Sequence, residues 1–148
     1  MRSMFAVPAL TALLAAPAFA AMNPQATLPP EQHQGNITYM SGGIGLSESH
    51  AMRREASQFP LELLFVSRHG KRDDYLADMP VTIRDAQGDT VFQGRSDGPY
   101  FLAKLPAGRY TVISTDHGRR VTRHVTVKRH GTQRVVFEWK GEASRRNA

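Results

Sequence analysis

From Leu61 onward a turn signal falls every eight to twelve residues, and this punctuation limits the fold more than any other feature of the chain. The signals are His69-Gly70, Asp85-Ala86-Gln87-Gly88-Asp89, Asp97-Gly98-Pro99, Leu105-Pro106-Ala107-Gly108, Asp116-His117-Gly118 and Arg129-His130-Gly131. Each combines glycine, which accepts positive φ, with Asp, Pro or His, which suit turn positions. The runs between them are too short for helices and alternate apolar with polar residues, as in Val81-Thr82-Ile83-Arg84. Seven strands are expected, at residues 61–68, 81–84, 90–94, 100–104, 109–115, 119–128 and 132–140. With no helices between them, an antiparallel sandwich is predicted rather than a parallel sheet.

The region ahead of the strands differs. Residues 36–40 read as a short strand, followed by Ser41-Gly42-Gly43-Ile44-Gly45. This glycine-rich turn lacks both G-x-G-x-x-G and a following Gly-Lys-Ser/Thr, so a phosphate cradle is not indicated. Residues 46–59 predict a helix capped by Gly45 or Ser47, with Ala51, Met52, Ala56 and Phe59 on one stripe and Glu48 and Glu55 as surface charges. Pro60 ends it. Residues 61–68, LELLFVSR, are apolar on both faces except at Glu62, which predicts a central strand covered on its second side by that helix.

Residues 1–20 have an early cation, an apolar run broken by Pro8 and Pro17, and the ending Ala18-Phe19-Ala20. That is the grammar of a signal peptide cleaved before Ala21, and it places the mature chain in the periplasm or outside the cell. No other stretch is apolar enough to span a membrane. Residues 21–35 are polar and proline-rich and are expected to be a disordered leader, residues 36–60 to carry the short strand, turn and helix, residues 61–140 to form the sandwich, and residues 141–148 to be a disordered tail. The chain has no cysteine, which excludes disulfides, thiolate metal sites and thiol nucleophiles, so its core must hold it together.

The charge is uneven. Residues 119–148 hold nine basic and two acidic residues, a net of +7, whereas residues 21–118 sum to −2. A basic C-terminal face could bind an anionic polymer, or could be a solvated strand face that discourages edge pairing.

Three motifs together carry a family resemblance: Pro80-Val81-Thr82-Ile83-Arg84-Asp85 with Gly88, Ser96-Asp97-Gly98-Pro99-Tyr100, and Leu105-Pro106-Ala107-Gly108-Arg109-Tyr110-Thr111-Val112. Over residues 61–139 the chain resembles the carboxypeptidase regulatory-like, transthyretin-like domains found in small exported bacterial proteins. The resemblance implies a mainly β, seven-stranded transthyretin-like or immunoglobulin-like sandwich, here with one N-terminal helix. It further implies an accessory or binding module rather than a catalyst. The hydrolase that shares the sandwich and acts on 5-hydroxyisourate is marked by a His/Arg site and a Tyr-Arg-Gly-Ser terminus. This chain ends in Ser144-Arg145-Arg146-Asn147-Ala148, which argues against that activity.

No constellation in the sequence forms an evident catalytic or metal site. His117, His124 and His130 fall along one strand, and at about 3.3 Å per residue its two ends lie roughly 30 Å or more apart, too far to share an ion. No strained turn presents a serine nucleophile. The inward parity of the aromatics argues against base stacking, so no nucleic-acid partner is expected. No catalytic, cofactor-binding or metal-binding residue and no cofactor is assigned. A non-catalytic module is expected to bind an envelope or extracellular protein or glycan. The candidate partner-binding residues are His69, Lys71, Arg72, Asp73 and Asp74 in a charged loop, and Arg119, Arg120 and His124 on the basic face. Convergence of His69, Asp73, Asp74 and Asp78 in one cleft would instead favour an enzyme.

Overall fold

The computed structural model describes residues 27–141. The expected signal peptide, the start of the leader and residues 142–148 of the tail lie outside that range. Among the described residues are ten strands and one α-helix: β1 (Gln32–Gln34), β2 (Ile37–Gly42), α1 (Leu46–Glu55, continued by a 3-10 turn at Ala56–Gln58), β3 (Leu61–His69), β4 (Arg72–Tyr75), β5 (Met79–Arg84), β6 (Thr90–Ser96), β7 (Tyr100–Lys104), β8 (Gly108–Asp116), β9 (Arg119–Val127) and β10 (Gln133–Lys140). One sheet runs β1-β2-β7-β3-β10, with β4 also paired to β3; the other runs β6-β5-β8-β9.

Alternation explains the layering. Leu61, Leu63 and Phe65 of β3 enter a core shared with Val81, Ile83, Phe92, Phe101, Val112, Phe137 and Trp139. Leu64 and Val66, on the opposite parity, enter a second core with Met40, Met52, Ala56, Phe59, Tyr100 and Leu102. The helix therefore covers the outer side of β3, as its two-faced apolar sequence predicts. Each fully buried Phe, Leu or Met contributes about 1.5–3 kcal/mol through apolar burial. This supplies the cohesion that a chain without disulfides requires.

The glycine-rich turn is a packing device. Gly43 (φ 97°) and Gly45 (φ 84°) take conformations that disfavour side chains, and a Cβ on Gly43 would meet the Tyr100 ring at 2.5 Å. Glu48 is not simply a surface charge: its Oε1 accepts the Gly43 N–H at 2.7 Å. This third residue of the helix reaches back to a free amide before the cap, in the manner of a capping box. Gly45 is the N-cap, without a side-chain cap from Ser47.

Three expectations need correction. Residues 31–35 are not a disordered leader, because Gln32–Gln34 pairs with β2 and Glu31 bonds Lys104 at 2.9 Å. Polar side chains secure this segment, so apolar periodicity passes over it. Residues 72–75, expected as loop, form β4. β7 pairs only with Leu61–Leu64 of β3, and β4 takes the edge left open at Val66–His69. Finally, the sandwich is not wholly antiparallel, since β10 runs parallel to β3 from Gln133↔Leu61 to Lys140↔Arg68. β10 arrives from the other sheet, so a crossing sets its direction and no hairpin constrains it.

Candidate functional site

The first group of candidate residues lies on the β3–β4 hairpin, which turns at Gly70 (φ 64°). Its pairing, Ser67↔Asp74, Arg68↔Asp73 and His69↔Arg72, sends neighbouring side chains to opposite faces. Arg68 bonds Asp73 (3.1 Å) and Glu138 (3.1 Å) on the outside of the sheet. Such half-exposed pairs contribute about 0–1 kcal/mol. Lys71 and Arg72 are exposed, and neither takes part in an ion pair among the described residues.

On the other face His69 and Asp74, with Ser67, Asp116, His117 and Arg119, line a recess of about 390 Å³ at one end of the sandwich. The fold thus brings together the two predicted groups, because Arg119 belongs to the second. Yet Arg119 is engaged structurally. It bonds Asp116 at 3.2 Å and donates to the Lys140 carbonyl, while its own carbonyl accepts the Trp139 indole at 2.8 Å. Asp116 also contacts His117 Nδ1 at 2.8 Å, and its side chain is only 11% exposed.

This recess does not have the geometry of a nucleophilic triad. His69 reaches both Ser67 Oγ (3.2 Å) and Asp74 (3.5 Å) through the same Nε2, whereas a relay needs one ring nitrogen for each partner. Asp73 is turned away on Arg68, and Asp78 bonds Arg95 at 2.5 Å. That guanidinium, by hydrogen bond and charge, holds the Asp78 carboxyl below its ordinary range. The four residues whose convergence would favour an enzyme are therefore scattered, apart from the His69–Asp74 contact. Among the described residues, no group of three or more His, Asp or Glu side chains could hold a metal ion.

Arg120 and His124 lie elsewhere, on the outward face of the β6-β5-β8-β9 sheet. The register Arg84↔Thr111 and Thr111↔His124 makes one rung across β5, β8 and β9, and Arg109↔Thr126 makes the next rung with the same parity. Thr115↔Arg120 and Ile113↔Thr122 extend this face towards the other end. Arg84, Asp85, Arg109, Thr111, His124 and Thr126 line a recess of about 470 Å³. None of the ion pairs among the described residues uses Arg84, Arg109, Arg120 or His124. Asp85 is occupied by its turn, Oδ1 accepting the N–H of Gln87 at 2.9 Å and of Asp89 at 3.0 Å.

Sequence reasoning did not name Arg84, Arg109, Thr111 and Thr126. Their outward parity was legible, but the adjacency of β5 to β8, which joins them to His124, is a property of strand order. Below the recess, Tyr110 donates its hydroxyl to the Pro106 carbonyl at 2.7 Å. This locks the Leu105-Pro106-Ala107-Gly108 turn and gives the motif behind the family resemblance a physical purpose. Burial pushes the Tyr110 hydroxyl up from its ordinary value, with the Asp85 charge adding to it, so it remains a donor at neutral pH.

No protein-family model matches the chain, and no curated protein matches it. Among solved structures the chain is similar to GBS52, the minor pilin of the Gram-positive pathogen Streptococcus agalactiae, with a TM-score of 0.46 and 20% identity. The overlap covers 54% of this chain and 43% of the pilin chain, so less than half of that protein is represented.

Proposed function

We propose that this chain is an exported, non-catalytic β-sandwich module that binds a macromolecular partner at the cell envelope. Export rests on the signal grammar of residues 1–20, and the accessory role extends the carboxypeptidase regulatory-like resemblance of residues 61–139. One observation carries the binding reading: Arg84, Arg109, Arg120 and His124 share one sheet face without a counter-ion among the described residues. A solvated face that served only solubility would intersperse both signs of charge. Here the carboxylates nearby are engaged, Asp85 by its turn and Asp78 by Arg95, and the remaining arginines favour an anionic partner and faster encounter with it.

The test is co-sedimentation of the chain from Ala21 with an envelope fraction across a salt series. Binding is expected to weaken several-fold between low and physiological ionic strength, because exposed charges are screened within a Debye length of about 8–10 Å. Charge reversal by Arg109→Glu with Arg120→Glu should abolish it. Binding that weakens with salt but ignores the charge reversal would remove the sheet face from the reading and leave the hairpin residues Lys71 and Arg72 as the alternative contact, and binding indifferent to both would remove a charged contact altogether.

A further inference from the structure

We propose that Arg84, Arg109 and His124, with the hydroxyls of Thr111 and Thr126, form one subsite for a carboxylate-, sulfate- or phosphate-bearing glycan. The proposal rests on the reading of this sheet face as the binding surface, and it assigns the contact to one recess within it.

Three observations support the assignment. First, the register concentrates the cations. Adjacent strands lie about 4.8 Å apart, so the backbones of Arg84 and His124 are separated by roughly 10 Å with Thr111 between them. Arg109 is two residues along β8 from Thr111, a step of roughly 7 Å. The two guanidiniums gathered on this face repel one another, and an oxyanion would relieve that repulsion while accepting bidentate bonds from either arginine.

Second, the recess is concave and about 470 Å³ in volume, within the range of small-ligand sites. Hydroxyl and imidazole groups sit between the cations. Thr111 Oγ1 and His124 Nδ1 are 3.2 Å apart, which engages one ring nitrogen and leaves Nε2 for a ligand. Asp85, the one carboxylate in the lining, is tied to two turn amides, which partly offsets its charge.

Third, the outward positions of β5, β8 and β9 around the recess are Thr82, Arg84, Arg109, Thr111, Ile113, Thr122, His124 and Thr126, without a Phe, Tyr or Trp ring. A single-stranded nucleic acid would find charge there but only one imidazole and no larger ring on which to stack successive bases. A hydroxylated, anionic chain finds both charge and hydroxyl partners.

Binding should be measured to immobilised polygalacturonate and heparin, with dextran as the neutral arm, poly(dT) as the nucleic-acid arm, and inorganic phosphate and sulfate as competitors. The wild-type chain is expected to bind at least one anionic glycan at least tenfold more tightly than dextran and poly(dT). Arg84→Gln with Arg109→Gln should weaken that binding tenfold or more, whereas Arg120→Gln, on the same face but outside the recess, should cost less than threefold. All three arginines are exposed, and unchanged thermal unfolding would show that the variants fold. Equal losses from the recess and Arg120 variants would overturn the subsite while sparing the broader reading of a basic face. Absence of glycan binding by the wild type, or tighter binding to poly(dT), would overturn the glycan assignment, while co-sedimentation with the envelope fraction decides the broader reading separately. Competition by millimolar phosphate or sulfate alone, with no preference for the polymers, would reduce the recess to a free-ion site and overturn the glycan assignment.

Discussion

Gly98 shows how much a single position can constrain this fold. A Cβ placed there would fall within the backbone of Gly42, where the β6–β7 turn crosses the end of β2. Because the obstruction is backbone, it cannot be cleared by a rotamer change. Gly35 is the useful contrast: its φ is +56°, yet nothing lies within 4 Å of the place a Cβ would take. Gly98→Ala is therefore expected to cost about 3 kcal/mol or more through overpacking, and Gly35→Ala only about 1–2 kcal/mol through its left-handed backbone. Urea unfolding of both variants distinguishes the two mechanisms, and equal losses would contradict the close approach at Gly98. The sequence marks Asp97-Gly98-Pro99 as a turn. That Gly98 also answers to Gly42, 56 residues away, is invisible without the fold.

At the scale of elements, the parallel pair β3–β10 contains a carboxylate that burial disfavours in its charged form. Glu62 is buried at 6% exposure and faces Arg134 in the register, at 3.7 Å. Burial raises its pKa from the ordinary 4.5, and Arg134 only partly offsets this. An acid with a raised native pKa binds protons more readily when folded, so its contribution falls as pH rises from 4.5 through the native value and is flat below. Glu62→Gln removes that penalty. The variant is expected to be more stable than the wild type at pH 7, by up to about 1 kcal/mol, with the advantage shrinking as pH falls through the raised native pKa and gone by about 4.5. Thermal unfolding at several pH values checks it. An advantage that persisted unchanged at acid pH would assign the effect to packing instead. The sequence showed Glu62 as the one polar residue within the apolar run of residues 61–66, and its parity on the helix side was legible too. Its partner was not, because Arg134 is met only through a parallel pairing that no hairpin announces.

At the scale of the whole molecule, the seven strands expected between residues 61 and 140 all exist, together with the helix and the strand before it, because each is specified by local alternation and local turn chemistry. What the sequence could not specify is which sheet each strand joins. β6 and β7 are consecutive yet lie in different sheets, so the Asp97-Gly98-Pro99 turn is a crossing rather than a hairpin. The candidate recess depends on such an assignment, since β8 separates two strands that are distant in sequence. The same logic governs the flanks, where two sheets meet without sharing a ladder. On one flank Trp139 and Arg119 tie β10 to the start of β9. On the other, the Gln34 side-chain amide replaces a strand rung: its Nε2 donates to the Gln93 carbonyl at 2.9 Å and its Oε1 accepts the Gln93 N–H at 2.8 Å. β6 is an edge strand, and an unpaired edge is a template for association. Gln34→Ala should open this rung, at a cost of about 1 kcal/mol, and speed hydrogen exchange at the Gln93 amide by about tenfold or more. Sedimentation should then show self-association rising with concentration in the variant beyond that of the wild type. An unchanged exchange rate at Gln93 would mean that the amide does not close this edge in solution, and that the charges and bends of β6 suffice to protect it.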